Sequence, residues 1–324
     1  MAKHCIGIDL GGTFIKFVAL DDRRRAGEVT ALPTPRSDGA EAVADRMAAG
    51  ARRVMDAGGI APDDIVGVGI GAPGPLKISE GVVVAMPNIP GMDNAPLVRM
   101  LARRLEVRCV LENDANAAAL GEFLCGAGAS AGHMVLLTLG TGLGSGVILD
   151  GAVFHGAHEQ APELGHMIIV PDGEPCNCGQ RGCLERYCSA TYMADRARRR
   201  LESGRGRADG ELARRLREKG AIDARDVEEA ALAGDPLAAE QWDEMARYLA
   251  QGCVNICRIY DPDEIVLAGG MAKAGDALLT PVRKHFDALN WTLAGPRASI
   301  ALAQLGSDAG AIGAAGVAWE KFGF

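Results

Sequence analysis

Short, continuous apolar runs alternate along this chain with longer stretches in which apolar residues recur at helical spacing. That alternation is the pattern of buried strands covered by helices, and it predicts an α/β protein with mostly parallel, doubly covered sheets. Cys5, Ile6, Gly7, Ile8, Asp9 and Leu10 read as a first strand, Gly11-Gly12-Thr13 as a turn, and residues 15–20 as a second strand. The same design returns later: residues 134–139 form an apolar strand, Gly140 to Gly144 a turn, and residues 145–149 the returning strand. Two hairpins with glycine-rich tips predict two similar α/β halves.

Between the hairpins the pattern predicts a helix over 40–57 and a strand over 65–70 ending in Gly71-Ala72-Pro73-Gly74-Pro75. A short helix over 96–105, a strand over 107–111 and a helix over 115–124 follow, with Asp114 suited to cap the last. Beyond a cysteine-rich segment the chain turns mainly helical. Leu237, Trp242, Met245, Leu249, Cys253 and Ile256 predict a long core helix over 236–259. A buried strand over 265–268 leads to Gly269-Gly270, and a small-residue helix over 309–321 is suited to pack closely on a neighbour.

Composition narrows this picture. A chain of 324 residues is long for one core, so two lobes are expected, and 48% hydrophobic with 23% charged residues is the profile of a globular protein. The net charge of −8 gives no general attraction for a polyanion and argues against nucleic acid as a partner. The densest basic stretch, from Arg196 to Lys219, is interleaved with Asp195, Glu202, Asp209, Glu211 and Glu218, and reads as the solvated faces of two helices. Met1-Ala2-Lys3-His4 lead straight into a strand rather than a signal-peptide core. No apolar run approaches the roughly 18 residues of a membrane helix, so a cytoplasmic protein without a membrane partner is expected. In that compartment nine cysteines do not imply disulfides.

Three of those cysteines stand together. Cys176, Cys178 and Cys183 follow His166 closely, and three thiolates with one imidazole match a closed tetrahedral zinc site. Gly173, Gly179 and Gly182 supply tight turns between them. The alternatives are incidental cysteines or redox-active thiols. With all four positions supplied by protein, the metal is expected to be structural, holding Glu163 and Glu185 in place.

The glycine turns carry a second chemistry. Asp9 ends a strand beside Gly11, Gly12 and Thr13, whose backbone N–H groups can cradle an anion. A carboxylate there calls for a cation, and Mg²⁺ is the natural candidate. Lys16 on the next strand is placed with this cofactor-binding set. Gly140, Thr141 and Gly142 can cradle phosphate in the same way, and Gly269-Gly270 can accommodate a base or ribose. Each loop alone is more often a simple turn; together they favour ATP. Asp114 is either a helix cap or the base that accepts a proton from an attacking hydroxyl. Asn113 can donate to and accept from a sugar hydroxyl.

These residues resemble the ROK family of sugar kinases and sugar-responsive repressors, within the superfamily of actin, hexokinase and heat-shock chaperone ATPases. The resemblance runs from Asp9-Leu10-Gly11-Gly12-Thr13 through Glu112-Asn113-Asp114 and Leu139-Gly140-Thr141-Gly142 to the last helix. It is most specific in Glu163-Leu164-Gly165-His166 and in Cys176-Asn177-Cys178-Gly179-Gln180-Arg181-Gly182-Cys183-Leu184-Glu185. It implies two RNase-H-like, actin-like ATPase lobes with a cleft between them. Residues 1–112, joined by 306–324, would form the first lobe, and 113–305, with the zinc site, the second. ATP would lie on the glycine loops and the sugar at the hinge. Asp114 would deprotonate the 6-hydroxyl, and Asn113, Glu163, His166 and Glu185 would bind other hydroxyls, His166 holding zinc through its second nitrogen. Gly74 and Asn88 fall where the first lobe approaches the sugar. Glu159, Pro162 and Met92 depart from the family pattern near that pocket, which leaves the exact sugar open.

The resemblance therefore implies an ATP-dependent, glucokinase-like hexose kinase, glucose being the first expectation, assembled as a homodimer. The alternatives are kinases of N-acetylhexosamines, fructose or allose, a sugar-sensing repressor, and an actin-like ATPase with protein partners. Repressor relatives carry a DNA-binding domain ahead of the first phosphate loop. Here Asp9 already lies in that loop, so no DNA-binding role is expected.

Overall fold

A computed structural model describes residues 2–160, 162–289 and 298–323. Met1 and Ala161, which fall in segments singled out from the sequence, lie outside the described residues, as do 290–297 and 324 of the expected lobes. The chain divides into two compact units. The first comprises Met1–Leu136, Gly146–Pro162 and Ala303–Phe324, and the second Leu137–Ser145 and Glu163–Leu302.

The first unit begins with β1 (His4–Leu10), β2 (Phe14–Asp21), β3 (Thr30–Pro33), α1 (Gly39–Gly58) and β4 (Ile65–Ala72). A small hairpin of β5 (Leu76–Lys77) and β6 (Val82–Val83), then α2 (Leu97–Leu105), β7 (Cys109–Asn113) and α3 (Asp114–Cys125), follow. Its five-stranded sheet has the order β3-β2-β1-β4-β7, with β1, β4 and β7 parallel. Helices α1 and α2 cover one face around Phe17, Met47, Ile70, Leu101 and Leu111.

The chain then runs through β8 (Met134–Leu139), β9 (Leu143–Leu149) and β10 (Ala152–Val153). Helices α4 (Glu185–Cys188), α5 (Ala190–Glu202), α6 (Glu211–Lys219), α7 (Ala224–Leu232) and α8 (Pro236–Tyr260) come next. They are followed by β11 (Glu264–Ala268), α9 (Asp276–Leu289), β12 (Ser299–Leu302) and α10 (Ala309–Phe322). The second five-stranded sheet has the order β10-β9-β8-β11-β12. In each sheet an antiparallel meander continues into further strands in the same spatial order, so the repeat expected from the two hairpins is present in the topology.

The last helix returns to the first unit because small residues let backbone approach backbone. A Cβ on Gly7 would lie 1.9 Å from the Ala311 carbonyl oxygen, and one on Gly69 1.7 Å from that of Ala314. On its other side, a Cβ on Gly313 would lie 1.6 Å from the Ala117 carbonyl oxygen. Helix α10 is thus wedged between the sheet and α3, and α3 clusters with the first unit rather than beginning the second at residue 113.

Three local expectations need correction. The strand expected over 107–111 is Cys109–Asn113, because Glu112 and Asn113 pair with Gly71 and Ala72. The cap of α3 is Asn113, whose Oδ1 accepts from the N–H groups of Ala115 at 2.9 Å and Asn116 at 3.2 Å; Asp114 is already inside the helix. Arg196 is not on a solvated face: only 8% exposed, it donates to the Tyr187 carbonyl at 2.9 Å, and burial lowers its proton affinity.

Candidate active site

In the first unit, β1, β4 and β7 end side by side, with Asp9 opposite Gly71 and Asn113 opposite Ala72. In open parallel sheets the carboxyl ends of the strands are where ligands bind. Asp9 pairs across the hairpin with Lys16, and the turn between them is closed by the Gly11 N–H donating to Phe14 O at 3.1 Å. Thr34 Oγ1 donates to the Gly11 carbonyl at 2.8 Å. Arg36 latches the same turn, donating from Nε to Gly12 O and from Nη2 to Thr13 Oγ1 at 2.8 Å. Asn88 lies beside Gly12, and Gly74 lies beside Asn113, so these residues of the expected site share one end of the sheet.

Two carboxylates face each other there. Burial first, then the Asp114 charge, push the Asp9 carboxyl up to about 6, with Lys16 opposing and Asp308 reinforcing the rise. Burial also raises Asp114, against the N–H of Ala115, which donates to its Oδ1 at 2.8 Å. Asp114 remains open to solvent, so it sits in a recess rather than in a sealed interior. Lys16 is less available than the sequence implied: its ammonium donates to Ser307 O at 2.5 Å and pairs with Asp308 at 3.0 Å.

Behind this end lies a network that the motif Glu112-Asn113-Asp114 marks only in part. Glu112 is 1% exposed, and its Oε1 accepts from the Asn113 N–H at 2.8 Å and from Asn116 Nδ2 at 3.0 Å. Its Oε2 meets His155 Nε2 at 2.7 Å. A lone histidine between β10 and the Glu-Leu-Gly-His string carries no spacing signal, so only the fold identifies it. Further along, Glu159 adopts φ 56°, a left-handed conformation that favours glycine. Its carboxylate accepts from the N–H and Oγ of Ser79 at 3.0 and 3.1 Å, which holds its own proton affinity down. Met92 is fully buried in the first core, so it shapes the region only from behind.

In the second unit the turn Gly140-Thr141-Gly142 closes with the Gly140 N–H donating to Gly142 O at 3.0 Å. Glu185 Oε2 accepts from the Leu143 N–H at 2.9 Å, and a Cβ on Gly142 would come within 2.5 Å of that oxygen. Gly165 is equally constrained, since a Cβ there would lie 2.1 Å from Leu143 O. This approach seats the short 3₁₀ turn Leu164–His166, preceded by the exposed Glu163, against β9.

The four metal-ligand candidates do come together. The ligand atoms of His166, Cys176, Cys178 and Cys183 all lie within 4.8 Å of one another. Cys176 Sγ is 3.7 Å from His166 Nδ1, and Cys178 Sγ is 3.6 Å from Cys183 Sγ. A tetrahedron with metal–sulfur bonds of about 2.3 Å has edges of about 3.8 Å, which these two separations approach. The turn that gathers them pairs Pro175 with Arg181 and uses Gly179 at φ 90° and Gly182 at φ 79°. Glu185 Oε1 stands 3.9 Å from Cys176 Sγ, which links the cluster to the Gly142 turn.

A cavity of about 670 Å³ opens beside that turn, lined among others by Gly140, Thr141, Trp242, Gly270, Met271 and Lys273. Its volume lies within the range of roughly 300–1,000 Å³ usual for small-molecule sites. Gly140 and Gly270 have open space where a side chain would project, as contact with a ligand requires. Gly269, at φ 89°, has a different reason: a Cβ there would meet Leu139 O at 2.5 Å, so it serves packing.

A model of the ROK family matches residues 5–321. The glucokinase of Halalkalibacterium halodurans is 37% identical over 309 residues, 95% of this chain and 92% of that protein. Among solved structures, a ROK hexokinase from Thermus thermophilus matches with a TM-score of 0.83 at 33% identity, covering 98% of each chain. A ROK family glucokinase from Streptomyces griseus, solved with glucose and AMPPNP, gives a TM-score of 0.75 at 34% identity over 98% of this chain and 99% of that one.

Proposed function

The chain belongs to the ROK family, and on that premise we infer that it is an ATP-dependent glucose kinase in which Asp114 is the base. The observation that carries the base assignment is the capping of α3 by Asn113. With the cap supplied by its neighbour, the Asp114 carboxylate is left facing solvent at the end of the sheet, with its proton affinity raised. Such a carboxylate can accept the proton of the 6-hydroxyl as the oxygen–phosphorus bond forms. Gly74, Asn88 and Asn113 hold the sugar from the same unit, and Glu163, His166 and Glu185 contribute further hydroxyl contacts.

The nucleotide occupies the cavity beside Gly140, with its base and ribose toward Gly270 and Met271 and its phosphates toward the N–H groups of Gly140–Gly142. The turn Gly11–Thr13 offers a second cradle of the same kind. Asp9 and Asp114 repel one another, and Asp9 is the residue that would hold a Mg²⁺ ion, which would supply charge neutralisation of the phosphates. Arg36 keeps the first turn in shape. His166 Nδ1 with Cys176, Cys178 and Cys183 holds one structural zinc, which leaves His166 Nε2 for the sugar. We place the protein in the cytoplasm and as a homodimer, by the analogy of the family.

The test is a panel of glucose, mannose, fructose, allose and N-acetylhexosamines with ATP, the product identified by NMR. Glucose 6-phosphate as the favoured product supports the reading. Preference for another sugar corrects the substrate, and ATP hydrolysis indifferent to every sugar refutes the kinase.

A further inference from the structure

His155 stands outside every motif, yet it makes a close contact with the buried carboxylate beneath the base. Glu112 is the penultimate residue of strand β7, and its side chain is only 2% exposed, whereas that of His155 is 34% exposed. One oxygen of Glu112 receives the N–H of Asn113 and the side-chain amide of Asn116, and the other receives His155. The Asn113 N–H belongs to the residue that caps α3 and precedes Asp114. A buried carboxylate holds such donors firmly only while its own charge is compensated.

We propose that His155 is a positioning residue for phosphoryl transfer: through Glu112 it fixes the turn that presents Asn113 and Asp114. The proposal rests on the kinase reading above. The imidazole feels the charge of three carboxylates, Glu112 on β7, Glu159 on the following loop and Glu320 on α10, with Arg24 also acting on Glu320. The hydrogen bond that His155 donates to Glu112 raises its proton affinity above the ordinary value, opposed by burial and assisted by the charges of Glu112, Glu159 and Glu320. A raised histidine is charged below its shifted midpoint and loses that charge as pH rises through it. The ion pair with Glu112 therefore weakens on the alkaline side. The turn loosens there, and turnover falls while the fold remains.

Two variants and one resting-state measurement test this. In His155→Ala the carboxylate loses its partner, and kcat/KM for glucose falls about tenfold to a hundredfold. In His155→Gln a neutral donor remains, so activity is partly rescued and the decline expected of the wild type on the alkaline side of the ordinary histidine range flattens. In the wild-type protein without substrate, NMR follows the His155 ring nitrogens and the Asn113 amide. The two titrate together with a midpoint above the usual histidine value. This arm needs no turnover, so a protein that failed to phosphorylate any sugar would still show it, and the two readings fail separately. Should His155→Ala not fold, the glutamine variant and the NMR titration decide. The proposal is overturned if folded variants keep the wild-type kcat/KM and pH profile, or if the Asn113 amide ignores the titration of His155.

Discussion

Replacing Asp9 by asparagine removes a charge that the metal-free fold tolerates poorly. In the unfolded chain this carboxyl has its ordinary value of 3.8, and in the folded one it is pushed up to about 6 by burial and by Asp114. Well below the lower value both states hold the proton and folding is unaffected. As pH rises between the two values the unfolded chain ionises first, so stability is lost. Above the upper value the full cost is present, about 3 kcal/mol at roughly 1.4 kcal/mol per tenfold change in proton affinity. The same arithmetic leaves about half of that cost at about pH 5. The substituted amide does not titrate, so any pH-independent effect it has cancels between the two conditions. Denaturant unfolding of wild type and Asp9→Asn in EDTA should therefore show the variant's advantage growing by roughly 1–2 kcal/mol from about pH 5 to pH 8. The variant should also lose Mg-ATP-dependent turnover, the usual exchange of stability against function. An advantage that is flat with pH, or larger at low pH, would refute the crowding of Asp9 by Asp114 and Asp308.

Other outcomes follow from the same geometry. Carefully purified protein should hold about one zinc per chain by elemental analysis, and Cys178→Ser should lose it together with thermal stability; an unchanged metal content would remove the site. Gly165→Ala places a methyl 2.1 Å from Leu143 O, and overpacking of this kind costs about 1–3 kcal/mol, readable by denaturation. Glu122, fully buried, accepts the N–H groups of Ala127, Gln304 and Leu305 at 2.9, 3.0 and 2.8 Å. Glu122→Gln turns a donor toward donors and should destabilise by about 2–4 kcal/mol without altering the catalytic pH profile; a neutral effect would sink the assignment.

Much of this architecture was legible because strong signals act locally. The two glycine-tipped hairpins, the Cys₃His cluster and the long helix Pro236–Tyr260 rest on turn chemistry, ligand spacing and periodicity within a few residues of one another. The strand end at Glu112-Asn113 was harder. Its extent is set by pairing with Gly71 and Ala72, which lie about forty residues earlier, and no local pattern encodes that register. The cap moved from Asp114 to Asn113 for the same reason, since either residue type can cap and the strand decides which one stands at the boundary. His155, Arg36 and Ser79 were invisible because each acts through contacts with residues more than twenty positions away in sequence. Lys16 and Met92 show the converse: the type of Lys16 fitted a phosphate site but it is paired with Asp308, and Met92, which departs from the family pattern near the pocket, is buried in the core.

The most direct test of the central claim compares glucose phosphorylation by the wild type and by Asp114→Asn, with glucose affinity measured separately by calorimetry. The account predicts that the variant folds, binds glucose within about threefold of the wild type and loses about a hundredfold or more of kcat. A variant that keeps wild-type kcat would contradict it, because the proton of the 6-hydroxyl would then have another acceptor.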